Sequence, residues 1–302
     1  MPVSETLSEA SKIILGKNTE IKQAICCLLS QGHLLIEDLP GVGKTTLALT
    51  LAKVFGLQFT RLQFTSDLLP ADVTGISIFD NKTSQFEFHP GPVFSQVLLA
   101  DEINRATPKT QSSLLEAMEE HKVSVDGKTY ALPEPFFVIA TQNPVSQLGT
   151  FPLPESQLDR FLMKIKMGYP DSIAEKRLLS GQDPRHLIDN IETIINASDL
   201  STLQSKVTQV HTSEDIITYI LQIVDKSRTE SGFIHGLSPR AGMALKKAAQ
   251  AWAFIHNRDF VLPEDVQAVF HTVCDHRLEC NYEQTEKSVS QLTSRILADI
   301  EI

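Results

Sequence analysis

A glycine-rich run that ends in lysine and threonine constrains the fold of this chain more than any other feature. The run comprises Pro40, Gly41, Val42, Gly43, Lys44, Thr45 and Thr46. An apolar segment typical of a buried strand, His33–Glu37, precedes it, and a helical pattern, Lys44–Phe55, follows it. A strand, a glycine-rich turn and a helix in this order are the context of a phosphate-binding loop. The chain is therefore expected to fold as an α/β protein around this loop.

Each residue type in the run suits a bound phosphate. Glycines let the backbone curl so that its N–H groups point at phosphate oxygens, and the helix that follows presents its positive end to the same anion. Lys44 can reach the terminal phosphates of a nucleotide, and Thr45 can place its hydroxyl on Mg²⁺. The strict motif has glycine where this chain has Asp38. A glycine-rich turn with an incidental lysine is the alternative, and the combination of strand, loop and helix disfavours it.

A second motif joins an apolar strand to two carboxylates. The apolar residues Val97–Ala100 are followed directly by Asp101 and Glu102. Asp101 would hold Mg²⁺ through the waters that this ion retains, and Glu102 would orient and activate an attacking water. Taken alone, the pattern favours a strand that runs into an acidic turn. Downstream of a phosphate loop, it indicates the second part of a nucleotide site.

A third motif places polar residues after another apolar strand. The strand pattern Phe136–Ala140 is followed by the residues Thr141, Gln142, Asn143 and Pro144. Loop residues at strand ends often carry function. If this strand neighbours the phosphate-loop strand, Asn143 could hold the attacking water near the terminal phosphate. Spacing alone supports this role and an ordinary polar loop equally.

Strand and helix patterns alternate through the first part of the chain. The predicted strands are His33–Glu37, Leu57–Phe64, Gln96–Ala100, Phe136–Ala140 and Phe161–Met167. Helical patterns such as Pro108–His121 separate them, which favours a parallel five-stranded sheet between helices. After Tyr169–Asp171 strand patterns fade, and starts such as Ser238 with Pro239 are typical of helices. We therefore expect an αβα domain over residues 1–170 and a helical domain over residues 171–302.

Two hairpins are predicted to interrupt this alternation. One lies near residues 75–89, where the alternating segments Ile76–Phe79 and Phe86–Phe88 flank a polar turn. The other lies near residues 122–132, where Asp126 and Gly127 separate two alternating runs. An Asp-Gly pair in this position is the strongest short-range hairpin signal. Both hairpins are interpreted as insertions into the α/β domain.

Composition and charge limit the class of protein. The 302 residues carry a formal net charge of -10, and the pI is about 5.4. A constitutive nucleic-acid binder usually shows a basic stripe, so nucleic acid is an unlikely partner. We expect no signal peptide, because no basic segment followed by an apolar run opens the sequence, and the longest apolar stretches are too short to span a bilayer. The four cysteines have neither disulfide nor metal spacing, which favours reduced thiols in a cytoplasmic protein.

Three further segments, together with the phosphate loop, resemble the MoxR family of AAA+ ATPases. They are Asp101–Ala106 (Asp-Glu-Ile-Asn-Arg-Ala), Thr141–Pro144 (Thr-Gln-Asn-Pro) and Leu153–Phe161 (Leu-Pro-Glu-Ser-Gln-Leu-Asp-Arg-Phe). The resemblance extends from about Gly16 to the C-terminal helices, and MoxR-like proteins commonly have aspartate at the position of Asp38. It implies a P-loop AAA+ core, a C-terminal all-α lid domain, and ATP with Mg²⁺ as ligands.

The resemblance also implies roles for individual residues. Asn143 would be the sensor-1 residue, and Arg160 would be the arginine finger that reaches the ATP of a neighbouring subunit. Arg240 would be the sensor-2 residue, in contact with the γ-phosphate of its own subunit. The segment on the adenine side would be Ile14, Leu15 and Gly16. The two hairpins match the helix-2 insert and the pre-sensor-1 hairpin of this clade. Both arginines could instead be ordinary surface residues.

The resulting hypothesis is an ATPase subunit of a ring, expected to be a homohexamer. The resemblance implies chaperone-like remodelling or maturation of a client protein complex, with a von Willebrand factor A domain protein as a possible partner. A nucleotide-gated binding module with negligible turnover and a DNA-remodelling AAA+ relative are the alternatives. A GTPase would need an Asn-Lys-x-Asp motif, and Asn81–Ser84 ends in serine. A nucleotide kinase would need an acceptor site, and the Asp101–Glu102 pair fits water activation better.

Overall fold

The computed structural model describes residues 2–143, 149–180, 184–189, 191–230, 232–281 and 287–300. The strands within these ranges are β1 (Leu34–Glu37), β2 (Phe59–Gln63), β3 (Gly75–Asp80), β4 (Gln85–Pro90), β5 (Val97–Asp101), β6 (Lys122–Val125), β7 (Lys128–Ala131), β8 (Phe137–Gln142) and β9 (Met163–Ile165). The five predicted sheet strands and both predicted hairpins are therefore present.

The α-helices within the same ranges are α1 (Pro2–Ile13), α2 (Asn18–Leu29), α3 (Lys44–Val54), α4 (Pro70–Thr74), α5 (Pro108–Glu120), α6 (Glu155–Leu158), α7 (Ser172–Leu179), α8 (Pro184–Asp189), α9 (Ala197–Thr208), α10 (Glu214–Thr229), α11 (Pro239–Ile255), α12 (Pro263–Cys274) and α13 (Val289–Ala298). Ser238 caps α11 by accepting a hydrogen bond from the N–H of Ala241, with Pro239 in the first helical turn. None of the described helices is both long and apolar enough to span a bilayer.

Five strands form one sheet in the order β2-β5-β8-β1-β9, and every neighbouring pair is parallel. This confirms the predicted sheet. Because the strands are parallel, all of them end at one edge of the sheet and begin at the other. The carboxyl edge is where strands end, at Glu37, Gln63, Asp101, Gln142 and Ile165. The amino edge is where they begin, at Leu34, Phe59, Val97, Phe137 and Met163.

The sheet is covered on both faces. Every residue of β5 and of β8 is buried. Alternate residues of β5 contact different apolar clusters, with Val97 and Leu99 in one cluster and Leu98 and Ala100 in the other. Strands that are buried on both faces need apolar residues at nearly every position, which explains the continuous apolar runs in the sequence.

The C-terminal helices pack against a helix that precedes the sheet. The Cys26 thiol donates to the carbonyl of Ala248 on α11 at 3.3 Å, and the Ser30 hydroxyl donates to the carbonyl of Lys247 at 3.3 Å. The Gln204 amide of α9 donates to the carbonyl of Leu28 at 2.8 Å. One apolar cluster therefore runs from α2 and the sheet into the C-terminal helices. The division of the chain near residue 170 stays a prediction.

The two hairpins contact each other at one side of the sheet domain. Strands β3 and β4 pair antiparallel, as do β6 and β7. Asp126 and Gly127 have φ values of 50° and 77°, as a two-residue hairpin turn of this kind requires. The rings of Phe88 and Tyr130 stack with centroids 4.0 Å apart, which joins the first hairpin to the second.

Candidate functional site

The phosphate loop connects β1 to α3 at the carboxyl edge. Gly41 and Gly43 have φ values of 87° and 93°, in the left-handed region that side chains disfavour. Gly43 directly precedes α3, which begins at Lys44. The loop therefore curls immediately before the positive end of an eleven-residue helix, which is the arrangement that binds phosphate.

Lys44 lies in a partly desolvated position beside this loop. Its ammonium donates to the carbonyl of Asp38 at 2.6 Å and to the Asn143 side-chain oxygen at 3.3 Å. Burial lowers the pKa of Lys44, while the negative charges of Asp101, Asp38 and Glu102 act in the opposite direction. A buried cation that is held among carboxylates is suited to binding an anion such as a triphosphate.

The Asp101 carboxylate at the end of β5 is fully engaged. One oxygen accepts from the Thr141 hydroxyl at 2.6 Å. The other accepts from the Arg61 guanidinium at 2.6 Å and 3.2 Å. Asp101 is therefore fixed in orientation by the neighbouring strands β8 and β2.

The Glu102 carboxylate is held by three side chains. One of its oxygens accepts from the Asn143 amide at 3.1 Å. The other accepts from the Gln63 amide at 3.0 Å and from Arg105 at 2.9 Å. The backbone of Glu102 has a φ of 56°, which is uncommon for a residue with a side chain. Such backbone strain is often found at functional sites, where the surrounding contacts maintain it.

Asn143 joins the cation to the carboxylate. Its side-chain oxygen accepts from Lys44, and its side-chain amide donates to Glu102. This contact exists because β8 lies between β5 and β1 in the sheet, so the three strand ends are adjacent. The proposed role of Asn143 required its strand to lie beside the strand that precedes the phosphate loop. The structure meets this condition, because β8 pairs with β1. Pro144 lies outside the described residues.

Arg61 and Gln63 belong to the site although the sequence analysis did not single them out. Both lie on β2, which pairs with β5 so that Gln63 is opposite Asp101. Residues two apart on a strand face the same side, so both side chains point toward the carboxylates. A polar pair near the end of a predicted strand was the available signal. It could be interpreted only once β2 was known to lie beside β5.

Asp38 connects the phosphate loop to the segment after β9. One of its carboxylate oxygens accepts from the backbone N–H of Leu39, and the other accepts from the backbone N–H of Gly168. An added side chain at Gly43 would lie 3.9 Å from Met167 in this same segment. The departure from the strict loop motif therefore has a structural consequence, because glycine at position 38 could not make these bonds.

The residues of the phosphate loop and the two carboxylates line a cavity of about 610 Å³. Of the predicted site residues, those lining it are Pro40, Gly41, Gly43, Lys44, Thr45, Thr46, Asp101, Glu102 and Asn143. Val42 is buried in the apolar core behind the loop. A hydroxyl at Thr45 and a carboxylate at Asp101 supply oxygen ligands, which is the donor type that Mg²⁺ prefers. The cavity therefore fits a nucleoside triphosphate together with Mg²⁺.

The predicted adenine-side residues do not line this cavity. Ile14 is buried, Leu15 is half-buried and Gly16 is exposed. An added side chain at Gly16 would meet the carboxylate of Asp171 at 2.8 Å. The segment therefore lies against the chain that follows β9, and this chain in turn contacts the phosphate loop through Gly168.

Arg160 lies at the amino edge, opposite the phosphate loop. Leu162 donates its backbone N–H to the carbonyl of His33, the residue before β1. Lys44 follows the other end of β1, and a four-residue strand spans about 13 Å. Arg160 is therefore at the end of the sheet far from its own phosphate loop, and its role as an arginine finger stays a prediction.

Arg240 lies beside Arg160 at the amino edge. Its guanidinium is 3.2 Å from Glu119, and Glu119 is 3.0 Å from the guanidinium of Arg160. Arg240 is also 3.6 Å from Asp159. In this structure Arg240 therefore lies at the amino edge and does not line the cavity of its own phosphate loop, and its role as the sensor-2 residue stays a prediction. Arg240 has this position because α11 packs on the end of α2, which brings the start of α11 to the amino edge.

The chain is similar to known proteins over nearly its whole length. A model of the ATPase family associated with various cellular activities (AAA) matches residues 33–163, and a model of an AAA lid domain matches residues 225–296. The chain is 46% identical to the uncharacterised protein YeaC of Bacillus subtilis, over 99% of this chain and 95% of that protein. It is 38% identical to the chaperone MoxR1 of Mycobacterium tuberculosis, over 95% of this chain and 78% of that protein.

Two further comparisons agree with these. The identity to the protein MoxR of Methylorubrum extorquens is 30%, over 93% of this chain and 89% of that protein. A crystal structure of a candidate ATPase from Cytophaga hutchinsonii superposes with a TM-score of 0.90 at 38% identity, covering 100% of this chain and 94% of that one. The solved structure therefore shares the arrangement of the sheet and the C-terminal helices.

Proposed function

Because this chain belongs to the MoxR family of AAA+ ATPases, we propose that it hydrolyses ATP to ADP and phosphate as one subunit of a ring that remodels a protein complex. One observation carries the proposal. Lys44, Asn143 and Glu102 form a hydrogen-bonded line across the carboxyl edge. At one end of this line, the Lys44 ammonium can bind the terminal phosphates. At the other end, the Glu102 carboxylate can accept a proton from water.

In the proposed reaction the phosphate loop and Lys44 hold the β- and γ-phosphates. Glu102 accepts a proton from a water molecule whose oxygen forms a bond to the γ-phosphorus. The bond between the γ-phosphorus and the bridging oxygen breaks, and ADP leaves with that oxygen. Asn143 orients the water because it already contacts both Lys44 and Glu102.

Thr45 and Asp101 are proposed to hold Mg²⁺, which would neutralise charge on the β- and γ-phosphate oxygens. Asp101 is bonded to Arg61 in the structure. The Arg61 side chain is 49% exposed, so it can move aside at little cost. We therefore propose that Arg61 holds Asp101 in place until the nucleotide arrives.

Both arginines of the amino edge are proposed to act on the ATP of a neighbouring subunit. Arg160 and Arg240 converge on Glu119, and both lie far from the phosphate loop of their own chain. Transfer of a phosphoryl group spreads charge over its oxygens, and a guanidinium supplied by another subunit stabilises that charge. The nucleotide site is therefore proposed to be complete only in a ring, which the family resemblance suggests to be a hexamer.

The first hairpin is the proposed contact for a client. Four of its large apolar side chains, Ile76, Ile78, Phe79 and Phe86, are between 48% and 69% exposed. An exposed apolar set on a soluble domain often marks a protein-binding surface. A cytoplasmic location and a von Willebrand factor A domain partner remain proposals from the family resemblance.

Substitution of Lys44 tests the proposed function. Lys44→Ala should weaken nucleotide binding by about tenfold to a hundredfold, because a charge-assisted contact to the terminal phosphates is lost. Titration of a fluorescent ATP analogue and release of phosphate measure the two activities. Lys53→Ala is a matched control, since Lys53 lies in the last turn of the same helix and pairs with Asp189 on the protein surface.

The outcomes separate the alternatives. Undiminished binding by Lys44→Ala would remove the phosphate-loop assignment. If the unaltered chain binds ATP but releases no phosphate at any subunit concentration, a nucleotide-gated binding module replaces the ATPase.

A further inference from the structure

A single carboxylate, that of Glu119, holds both arginines of the amino edge. One of its oxygens is 3.0 Å from Arg160, and the other is 3.2 Å from Arg240. Two guanidinium groups from distant parts of the chain therefore converge on one anion. A terminal phosphate would present oxygens to the same two groups, because guanidinium binds carboxylate and phosphate in a similar geometry.

The position of Glu119 is set by buried contacts at the end of α5. The His33 ring lies 3.2 Å from the carbonyl of Met118 and accepts a hydrogen bond from the N–H of Val138 at 3.0 Å. His33 thus ties the residue before Glu119 to the beginning of β8. Only the Glu119 side chain projects from this fixed point, and it is 37% exposed.

The other carboxylate at this edge is committed elsewhere. Asp159 accepts from the Arg277 guanidinium at 2.7 Å. Arg277 is buried and also donates to the carbonyl oxygens of Phe161 and Leu162. The main contact of Asp159 is therefore the one with buried Arg277. Its distance to the Arg240 guanidinium is longer, at 3.6 Å. Glu119 is the carboxylate that can be exchanged without disturbing a buried ion pair.

We propose that Glu119 occupies the anion position of the neighbour's terminal phosphate, and that Arg160 and Arg240 exchange Glu119 for that phosphate during its transfer, when the ring hydrolyses ATP. The inference rests on the proposed function, in which both arginines act on a neighbouring subunit. Glu119 keeps the two guanidinium groups together between cycles. It also competes with the phosphate in each cycle, so it limits the rate of hydrolysis.

The magnitude of this competition is modest. All three side chains are partly exposed, and one exposed ion pair changes an equilibrium by about fivefold at most. An arginine finger accelerates phosphoryl transfer by about a thousandfold or more. The phosphate therefore displaces Glu119, and the carboxylate slows the exchange without preventing it.

Glu119→Gln tests the proposal, since glutamine has nearly the same shape without the charge. At saturating ATP and saturating subunit concentration, kcat should rise about two- to fivefold. The KM for ATP and the Kd for ADP should stay unchanged, because the competition concerns the transition state and ADP has no γ-phosphate. Glu120→Gln is the matched control: it removes the same charge one residue later, from a side chain that pairs with the exposed Lys122.

A second measurement tests whether the rise in kcat depends on Arg160 and Arg240. In a variant with both Arg160→Ala and Arg240→Ala, single-turnover rates should be the same with and without Glu119→Gln. Glu119→Asp keeps the charge but shortens the side chain by one methylene group. Its kcat should lie between that of the unaltered chain and that of Glu119→Gln. This variant also serves as the test if Glu119→Gln does not fold.

The possible failures are distinguishable. A kcat that is unchanged or lowered by Glu119→Gln and Glu119→Asp overturns the inference, as does a rise that persists without the arginines. If Arg160→Ala has unaltered turnover, the proposed action of Arg160 on a neighbour's ATP fails, and the inference about Glu119 fails with it. If Arg160→Ala loses turnover and the kcat of Glu119→Gln equals that of Glu120→Gln, only the proposed role of Glu119 is wrong.

Discussion

The two edges of the same sheet carry different parts of the proposed reaction. At the carboxyl edge, Lys44, Asn143 and Glu102 contact one another within one chain, around a cavity of about 610 Å³. At the amino edge, Arg160 and Arg240 contact a carboxylate and no phosphate loop of their own chain lies near. A parallel sheet has two chemically different edges, so one chain can offer a binding site at one and a catalytic cation at the other.

Lys44 and Arg240, one at each edge, also differ in how firmly they are held. Lys44 is only 8% exposed, and burial lowers its pKa. The Arg240 side chain is 49% exposed. A buried lysine with fixed partners can hold a nucleotide between cycles, whereas an exposed arginine can move when a neighbour arrives. This comparison predicts which substitutions act within a chain and which act across a subunit boundary.

Substitution of Arg160 has the largest expected effect. Arg160→Ala should bind ATP normally and lose about a thousandfold or more in turnover. Mixing with Lys44→Ala subunits should restore part of the activity, because an Arg160→Ala subunit keeps an intact phosphate loop and its Lys44→Ala neighbour supplies the arginine. Phosphate release over a series of mixing ratios measures this. Arg240→Ala should be restored in the same way, since Arg240 lies at the same edge.

If assembly and ATP binding are preserved and no mixing ratio restores activity, the assignment of Arg160 to a neighbour's site is wrong. Restoration of Arg160→Ala but not of Arg240→Ala would instead show that the two arginines have separate roles.

Substitution of Glu102 should retain ATP binding and lower turnover by about a hundredfold to ten-thousandfold, because an amide is a far poorer base. Glu102→Gln mixed with Arg160→Ala should regain activity, since the defects lie at opposite edges. Glu102→Gln mixed with Lys44→Ala should not, since both defects lie at the carboxyl edge. Activity in this second mixture would contradict the division between the edges.

Asp38→Asn should raise the KM for ATP by about tenfold at most, with a smaller change in kcat. Asparagine has one side-chain oxygen, so it can accept from Leu39 or from Gly168 but is a poor replacement for both. Steady-state kinetics measures the change. Asp80→Asn in the first hairpin is a control of equal charge, and equal effects of the two variants would show that Asp38 has no special coupling to the loop.

The smallest expected effect is a loss of folding stability in acid, caused by two buried histidines at the amino edge. Burial lowers the pKa of His33 to about 4 and lowers the pKa of His276 well below its usual value. His33 precedes β1, and His276 contacts the carbonyl of Phe161 before β9. The unfolded chain binds protons near pH 6.5 and the folded chain does not, so stability is fully present above about pH 6.5 and decreases as the pH falls toward about 4.

Urea unfolding at several pH values measures this loss. His33→Gln should have a weaker dependence between pH 6.5 and 4 than the unaltered chain. Hydrogen exchange should show the amide of Leu162 losing protection before that of Asp38. The reverse order would contradict the assignment of the acid-sensitive groups to the amino edge.

Much of the carboxyl edge could be predicted from sequence. Lys44, Asp101 and Asn143 each follow or end an apolar strand, and parallel strands bring such positions to one edge whatever the details of packing. Arg61 and Gln63 were missed, because their contribution depends on β2 lying beside β5. Strand order is set by contacts between segments that are distant in the chain, and no local pattern encodes it.

The sequence by itself determined the phosphate loop, the two carboxylates, the hairpins and the family, because these depend on residue types at short spacing. Only the tertiary structure decided that Arg240 joins Arg160 and Glu119 at the amino edge. That arrangement depends on α11 packing against the end of α2, more than 200 residues away in the chain. Local patterns specify a helix and its start. Where that start lies depends on which apolar faces bury each other, and this is decided by the whole core at once.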